Sequence, residues 1–125
     1  MYKKRVAEGV HDSLIKTRII GYRREGHTDV RADHLSGYNQ PEIIGDHIPD
    51  ITSKKEGKFF VTEAETKETI GVEETAKQWQ SFSMYTNGRD KIFHVVVPES
   101  CLKEAKKFAE KEGIRVDRWF YNPMY

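Results

Sequence analysis

Three acidic residues, Asp50, Glu63 and Glu65, combine side-chain type and spacing in a way that points to chemistry. They flank a polar turn, Lys54-Lys55-Glu56-Gly57-Lys58, and Glu63 closes the apolar run that begins at Phe59. If the chain reverses between Glu56 and Gly57, Asp50 falls opposite Glu63 in an antiparallel hairpin. Directly opposed residues share a face, with Cβ atoms roughly 5 Å apart. Two like charges that close are destabilising unless a cation lies between them. The same register sets Ile48 opposite Glu65 and Asp46 opposite Lys67, whereas a shift by two would pair Asp50 with Glu65. Strand alternation sends Glu63, Glu65 and Lys67 to one face and Phe60, Thr62 and Ala64 to the other. Asp50, Glu63 and Glu65 then form an all-oxygen donor set of the kind that suits Mg²⁺ or Mn²⁺. The competing reading is a charged, solvated hairpin face; a second strand supplying Asp50 at the matching position weighs against it.

The elements that must position these residues follow from periodicity. Residues 3–24 are expected to form a helix, with Val6, Val10 and Leu14 on one stripe and Ile15 and Ile19 on a second. Strands are expected over 29–35, 43–52 and 58–67, the last two as the hairpin. A helix over 72–86 buries Val72, Ala76, Trp79 and Phe82 and stops at Asn87-Gly88. The β-branched run 91–97 reads as a central strand, 98–112 as a helix closed by Gly113, and 114–120 as a last strand. The order α-β-β-β-α-β-α-β predicts a single α/β domain, a mixed β-sheet flanked by helices, with a right-handed parallel crossover at its end.

A helix containing Glu8, then Pro49-Asp50, a turn, an apolar strand ending in Glu63-Ala64-Glu65, a helix and a strand resembles the core of the PD-(D/E)xK nucleases. Among these the pattern is most similar to the archaeal Holliday-junction resolvases. The resemblance covers roughly residues 3–97, with 98–125 as an extension, and implies a restriction-endonuclease-like fold. It implies metal-dependent hydrolysis of DNA phosphodiester bonds, with Mg²⁺ or Mn²⁺ held by Asp50, Glu63, Glu65 and Glu8. Glu65 stands where the family carries a lysine. Lys67, which an alternative alignment through Glu65-Thr66-Lys67 would use, or Lys16 then takes that part. Gln78 matches a region where relatives place a polar site residue. Glu8 shares a stripe with Ile15 and Ile19, so it is either a site residue or a partly solvated one. A junction substrate implies a homodimer with two sites. The absent lysine leaves a second expectation, a nuclease-like domain that binds nucleic acid or a protein partner without cutting. A third is an α/β domain with a purely structural acidic face.

Other residues weigh less. The histidines His11, His27, His34, His47 and His94 show no paired metal spacing and are expected to be polar or satisfied, with His47 turned away from Asp50. Arg18, Arg23, Arg24, Arg31, Lys54, Lys55 and Lys58 are candidates for phosphate contact near the site. Cys101 alone permits neither a disulfide nor a cysteine cluster, and is expected to be structural. The aromatic stretch 118–125 is expected to pack across the domain or form a dimer contact. With 125 residues, 37% hydrophobic and 33% charged, the chain is sized for one domain. Its 21 basic and 20 acidic residues argue against a generic nucleic-acid coat but leave room for a basic patch on one face. No apolar run after Met1 is long enough for a signal peptide or membrane span, so a reducing cytoplasm is the expected location.

Overall fold

A computed structural model describes residues 2–123, with side chains from residue 8 onward. The side chain of Val6, and Met124 and Tyr125 of the aromatic tail, lie outside the described residues. The elements are α1 (Tyr2–Arg24), β1 (Thr28–Ala32), β2 (Ile51–Lys55), β3 (Lys58–Ala64), α2 (Glu73–Tyr85), β4 (Lys91–Pro98), α3 (Leu102–Glu112) and β5 (Arg118–Asn122), with a short 3-10 turn over Glu99–Cys101. All five strands join one sheet in the order β1-β2-β3-β4-β5. The first two pairings are antiparallel and the last two parallel, so this is a mixed α/β sheet.

The sheet has an apolar layer on each face. Leu14, Ile15, Ile19 and Tyr22 of α1 bury against Ala32, Ile51, Ala64, Val96 and Phe120. On the opposite face Trp79 and Phe82 of α2 and Ala105 and Ala109 of α3 bury against Val61, Phe93, Val95 and Val97. Strand alternation explains the split, since Phe93, Val95 and Val97 point one way and Val96 the other. β4 therefore reads as a continuous apolar run because helices cover both of its faces. Both β3-α2-β4 and β4-α3-β5 are parallel crossovers.

Several expected boundaries move. Residues 43–50 form a loop rather than the first part of a strand, so no pairing of Ile48 with Glu65 or Asp46 with Lys67 exists. Pro49 lacks an N–H, and Gly45 adopts φ 62°, so this stretch cannot continue the ladder. β3 stops at Ala64, and Lys67 lies in the turn beyond it, because Thr66 and Thr69 close that turn through their own hydrogen bonds. β1 ends at Ala32 because Asp33 turns to donate its N–H to the Asp50 carbonyl and His34 takes φ 58°. β5 starts at Arg118, four residues later than expected, since Gly113 takes φ 67° and Ile114 N–H closes back on Ala109. The hairpin register stands as read from the sequence: Ile51 faces Thr62 and Lys55 faces Lys58.

Trp119 packs edge-on against Trp79 at 5.8 Å and Phe120 enters the α1 layer, so the described part of the aromatic tail packs across the domain. Cys101 is buried and unpaired. Among the described residues, no helix is long and apolar enough to cross a membrane.

Candidate functional site

Asp50 sits one residue before β2, and Glu63 is the penultimate residue of β3. The hairpin register places them side by side, and the backbone locks them with a crossed pair of hydrogen bonds. Asp50 N–H donates to Glu63 Oε1 at 2.9 Å, and Ala64 N–H donates to Asp50 Oδ2 at 2.8 Å. Such charge-assisted bonds are stronger than neutral ones, and here they fix two like-charged side chains against one another. Glu65 follows on the same strand face as Glu63 and is held by a 2.8 Å hydrogen bond from Trp79 Nε1. Glu63 and Glu65 are each only 4% exposed, which decides that they are not a solvated hairpin face.

The electrostatics record this crowding. Burial, then the charges of Asp50 and Glu65, push the Glu63 carboxyl well above the usual range, with Asp33 adding to the effect. Burial and then the Asp50 charge raise Glu65 to about 7, against the opposing hydrogen bond from Trp79. Buried carboxylates held together shift in this direction when their charge is not neutralised.

α1 supplies the other wall. His11 Nε2 lies 3.3 Å from Asp50 Oδ2. Burial, the largest influence on His11, opposes its charge. The Asp50 hydrogen bond and the charges of Asp50, Glu65 and Asp12 outweigh it and raise the imidazole pKa to about 9. His11 is therefore an imidazolium at neutral pH and, among the described residues, the cationic group seated against Asp50. Glu8, His11, Asp12, Asp33, His34, Thr66 and Thr69 line a cleft of about 420 Å³ beside this cluster.

Of the residues singled out in the sequence, Asp50, Glu63 and Glu65 are brought together, and Glu8 is exposed at the rim of the adjoining cleft. Lys67 is exposed in the turn after β3, and Gln78 is half-buried on α2; neither lines the cleft. Arg18 and the lysines Lys54, Lys55 and Lys58 do not lie near the acidic cluster. The hairpin turn is at the far end of β2 and β3 from Glu63, and Arg18 stacks on Phe120. His47 is turned away from Asp50, as expected, toward Glu74 at 3.8 Å.

Sequence reasoning missed His11 and Asp33. Glu8, His11 and Asp12 stand at i, i+3 and i+4, a spacing that puts all three on one helical face and signals a polar patch. Nothing in the sequence points to Asp33, which is placed by its backbone bond to Asp50. Trp79 was expected in the core, and it is there, fully buried, while its indole N–H positions Glu65.

The donor set consists of hard oxygens, of which the bonds above engage Asp50 Oδ2, Glu63 Oε1 and Glu65 Oε2. That chemistry fits a divalent cation coordinated partly by water. Among the described residues, no group of three or more His, Cys, Asp or Glu side chains is already arranged to hold a metal ion. Comparison with known proteins finds no matching family model, no matching curated protein and no matching solved structure.

Proposed function

We propose that this protein is a metal-dependent nuclease of restriction-endonuclease-like architecture, hydrolysing DNA phosphodiester bonds with Mg²⁺ or Mn²⁺ held by Asp50, Glu63 and Glu65. The observation that carries this reading is the crossed hydrogen-bond pair that locks Asp50 to Glu63 beside a buried Glu65. Holding Glu63 and Glu65 buried against Asp50 is costly while they are charged, and a bound cation offsets that cost. A bound divalent ion lowers the pKa of its water and stabilises charge developing on the phosphate. The chain's own residues hold the cluster: Trp79 orients Glu65, the Ala64 amide orients Asp50, and His11 offsets the Asp50 charge. Glu8, exposed at the rim, is placed to meet substrate or an outer water of the ion.

A second reading, a nuclease-like domain that binds without cutting, is favoured by one observation. The position usually held by lysine is Glu65, and among the described residues no lysine lines the adjoining cleft. Incubating purified protein with supercoiled, branched and single-stranded DNA, with and without Mn²⁺, separates the two. Cleavage that needs Mn²⁺ and disappears in Asp50→Ala and Glu63→Ala supports the nuclease. Cleavage untouched by both substitutions sinks it, and calorimetric Mn²⁺ binding without cleavage supports the binding module.

A further inference from the structure

The carboxylates of the acidic cluster are recessed. Glu63 and Glu65 are each 4% exposed, and the Asp50 side chain is 15% exposed. The cleft of about 420 Å³ adjoins them through two of its lining residues. His11 is bonded to Asp50 Oδ2, and Asp33 donates its N–H to the Asp50 carbonyl. A divalent ion on these carboxylates takes a phosphate oxygen only at about 2 Å, so a reacting phosphate has to enter the cleft. Taken as round, the cleft is about 9 Å across, whereas the major groove of a duplex is by itself roughly 12 Å wide.

The charge of the walls selects in the same direction. Glu8, Asp12 and Asp33 stand on them, and among the described residues no lysine or arginine does. Duplex DNA carries about one negative charge per 1.7 Å of its axis, twice the density of either strand alone. Acidic walls therefore penalise the second strand most. A strand that does enter needs a contact other than phosphate neutralisation beyond the ion.

His34 offers that contact. It lines the cleft with its side chain 89% exposed, and its backbone is left-handed, with φ 58°. A residue with a Cβ seldom adopts that conformation, and it persists where the surroundings impose it. Here the preceding residue, Asp33, is tied to the Asp50 carbonyl, and His34 Nε2 lies 3.3 Å from Asp33 Oδ2. The imidazole is thus held by one edge while its faces stay in solvent. Bases that have left a helix stack on aromatic side chains, histidine included; paired bases are already stacked on their neighbours.

We propose that the cleft takes an unpaired DNA strand, with His34 as the platform on which one exposed base stacks. The inference rests on the proposed metal site for the position of the ion and adds the class of substrate that reaches it: single strands, frayed ends and flaps, not continuous duplex.

The test titrates the full chain by anisotropy with a labelled single-stranded oligonucleotide and with the blunt duplex of the same sequence. Ca²⁺, which also takes oxygen ligands, replaces Mn²⁺ in the buffer. The single strand is expected to bind at least about tenfold more tightly than the duplex. His34→Asn tolerates the left-handed backbone and has no ring. It should weaken single-strand binding about fivefold or more, the low end for loss of one base stack, and leave duplex binding unchanged. His34→Phe restores an aromatic face and should bind the single strand within about twofold of the parent. Circular dichroism checks that each variant folds. The proposal is overturned if the duplex binds as tightly as the single strand, if folded His34→Asn binds the strand undiminished, or if neither probe binds. It is also overturned if folded His34→Phe binds no better than His34→Asn. Mn²⁺ calorimetry on the same samples separates the two readings. Mn²⁺ binding without a strand preference removes the base platform and leaves the metal site. A strand preference that depends on His34, without Mn²⁺ binding, removes the metal site and leaves the platform.

Discussion

The acidic cluster shows how far a residue's surroundings set its chemistry. Glu63 is buried, pressed against Asp50 and shifted upward, so its charged form is a liability in the metal-free protein. Glu63→Gln keeps an oxygen to accept the Asp50 N–H while removing the charge. At pH 8 this variant is expected to unfold in urea at least as late as the parent without metal, yet to lose the stabilisation that Mn²⁺ confers. Loss of stability in metal-free buffer would show that the carboxylate is structural. His94 supplies a second residue-scale prediction. Burial first, then the positive charges of Arg118, Arg18 and His27, depress its pKa from 6.5 to about 3. Tyr22 and Thr62 complete its hydrogen-bonded surroundings, and Asp117 is the acid that opposes the shift. The unfolded chain therefore takes up a proton on acidification that the folded chain refuses. Stability from His94 is complete above pH 6.5 and falls as pH drops toward 3, by at most about 1.4 kcal/mol per pH unit. Glu65, raised to about 7 from an ordinary 4.5, works in the opposite sense, stabilising the fold more as pH falls through that range. The comparison to make is therefore between parent and His94→Gln, and chemical denaturation from pH 7 to pH 4 should show a shallower acid loss in the variant.

At the scale of elements, the hairpin turn is what brings Asp50 opposite Glu63. Glu56 and Gly57 are the two central residues between Lys55 and Lys58, and both have positive φ, 52° and 78°. That is the signature of the turn whose twist matches antiparallel strands, and it favours Asn-Gly. Glu56 is strained there, because a side chain with a Cβ seldom adopts the left-handed region. Glu56→Asn is expected to stabilise the protein by roughly 0.5 kcal/mol, whereas Gly57→Val should cost about 1–2 kcal/mol. Urea midpoints measure both. A Gly57→Val variant that binds Mn²⁺ less tightly would tie the metal site to the turn that sets its register. α1 acts as a second positioning element. It carries Glu8, His11 and Asp12 at the acidic end of the sheet and Arg23 and Arg24 in its last turn, where they complement the helix dipole.

The whole molecule is nearly neutral, and its charge is segregated along the strands. Carboxylates gather at the C-terminal end of β3, while Arg89, Lys91, Arg115 and Arg118 stand with Asp117 around the N-terminal ends of β4 and β5. A net charge of +1 conceals this arrangement. Because metal bound to the folded state alone stabilises the entire domain, Mn²⁺ at a hundredfold excess over its dissociation constant should add about 2.7 kcal/mol. For a domain of this size that is a rise in melting temperature of about 10 °C. The rise should vanish on adding EDTA and in Asp50→Ala; an unchanged melting curve in Mn²⁺ would remove the cation from the account of the acidic end.

The sequence by itself determined the elements, the hairpin register and the pairing of Asp50 with Glu63. These depend on local signals: alternation over Phe59–Glu63, a Glu-Gly turn, and apolar stripes on the helices. It misjudged where strands stop, because the ends are set by partners far along the chain. Asp33 closes β1 by bonding to the Asp50 carbonyl, and Thr66 and Thr69 fold back on each other after β3. Only the tertiary structure seated His11 against Asp50, across 39 positions of sequence, and Trp79 against Glu65. It alone moved the hairpin lysines away from the acidic cluster. Periodicity records which face of an element is buried, but not which charges from other elements will meet there. That meeting is decided when the layers pack.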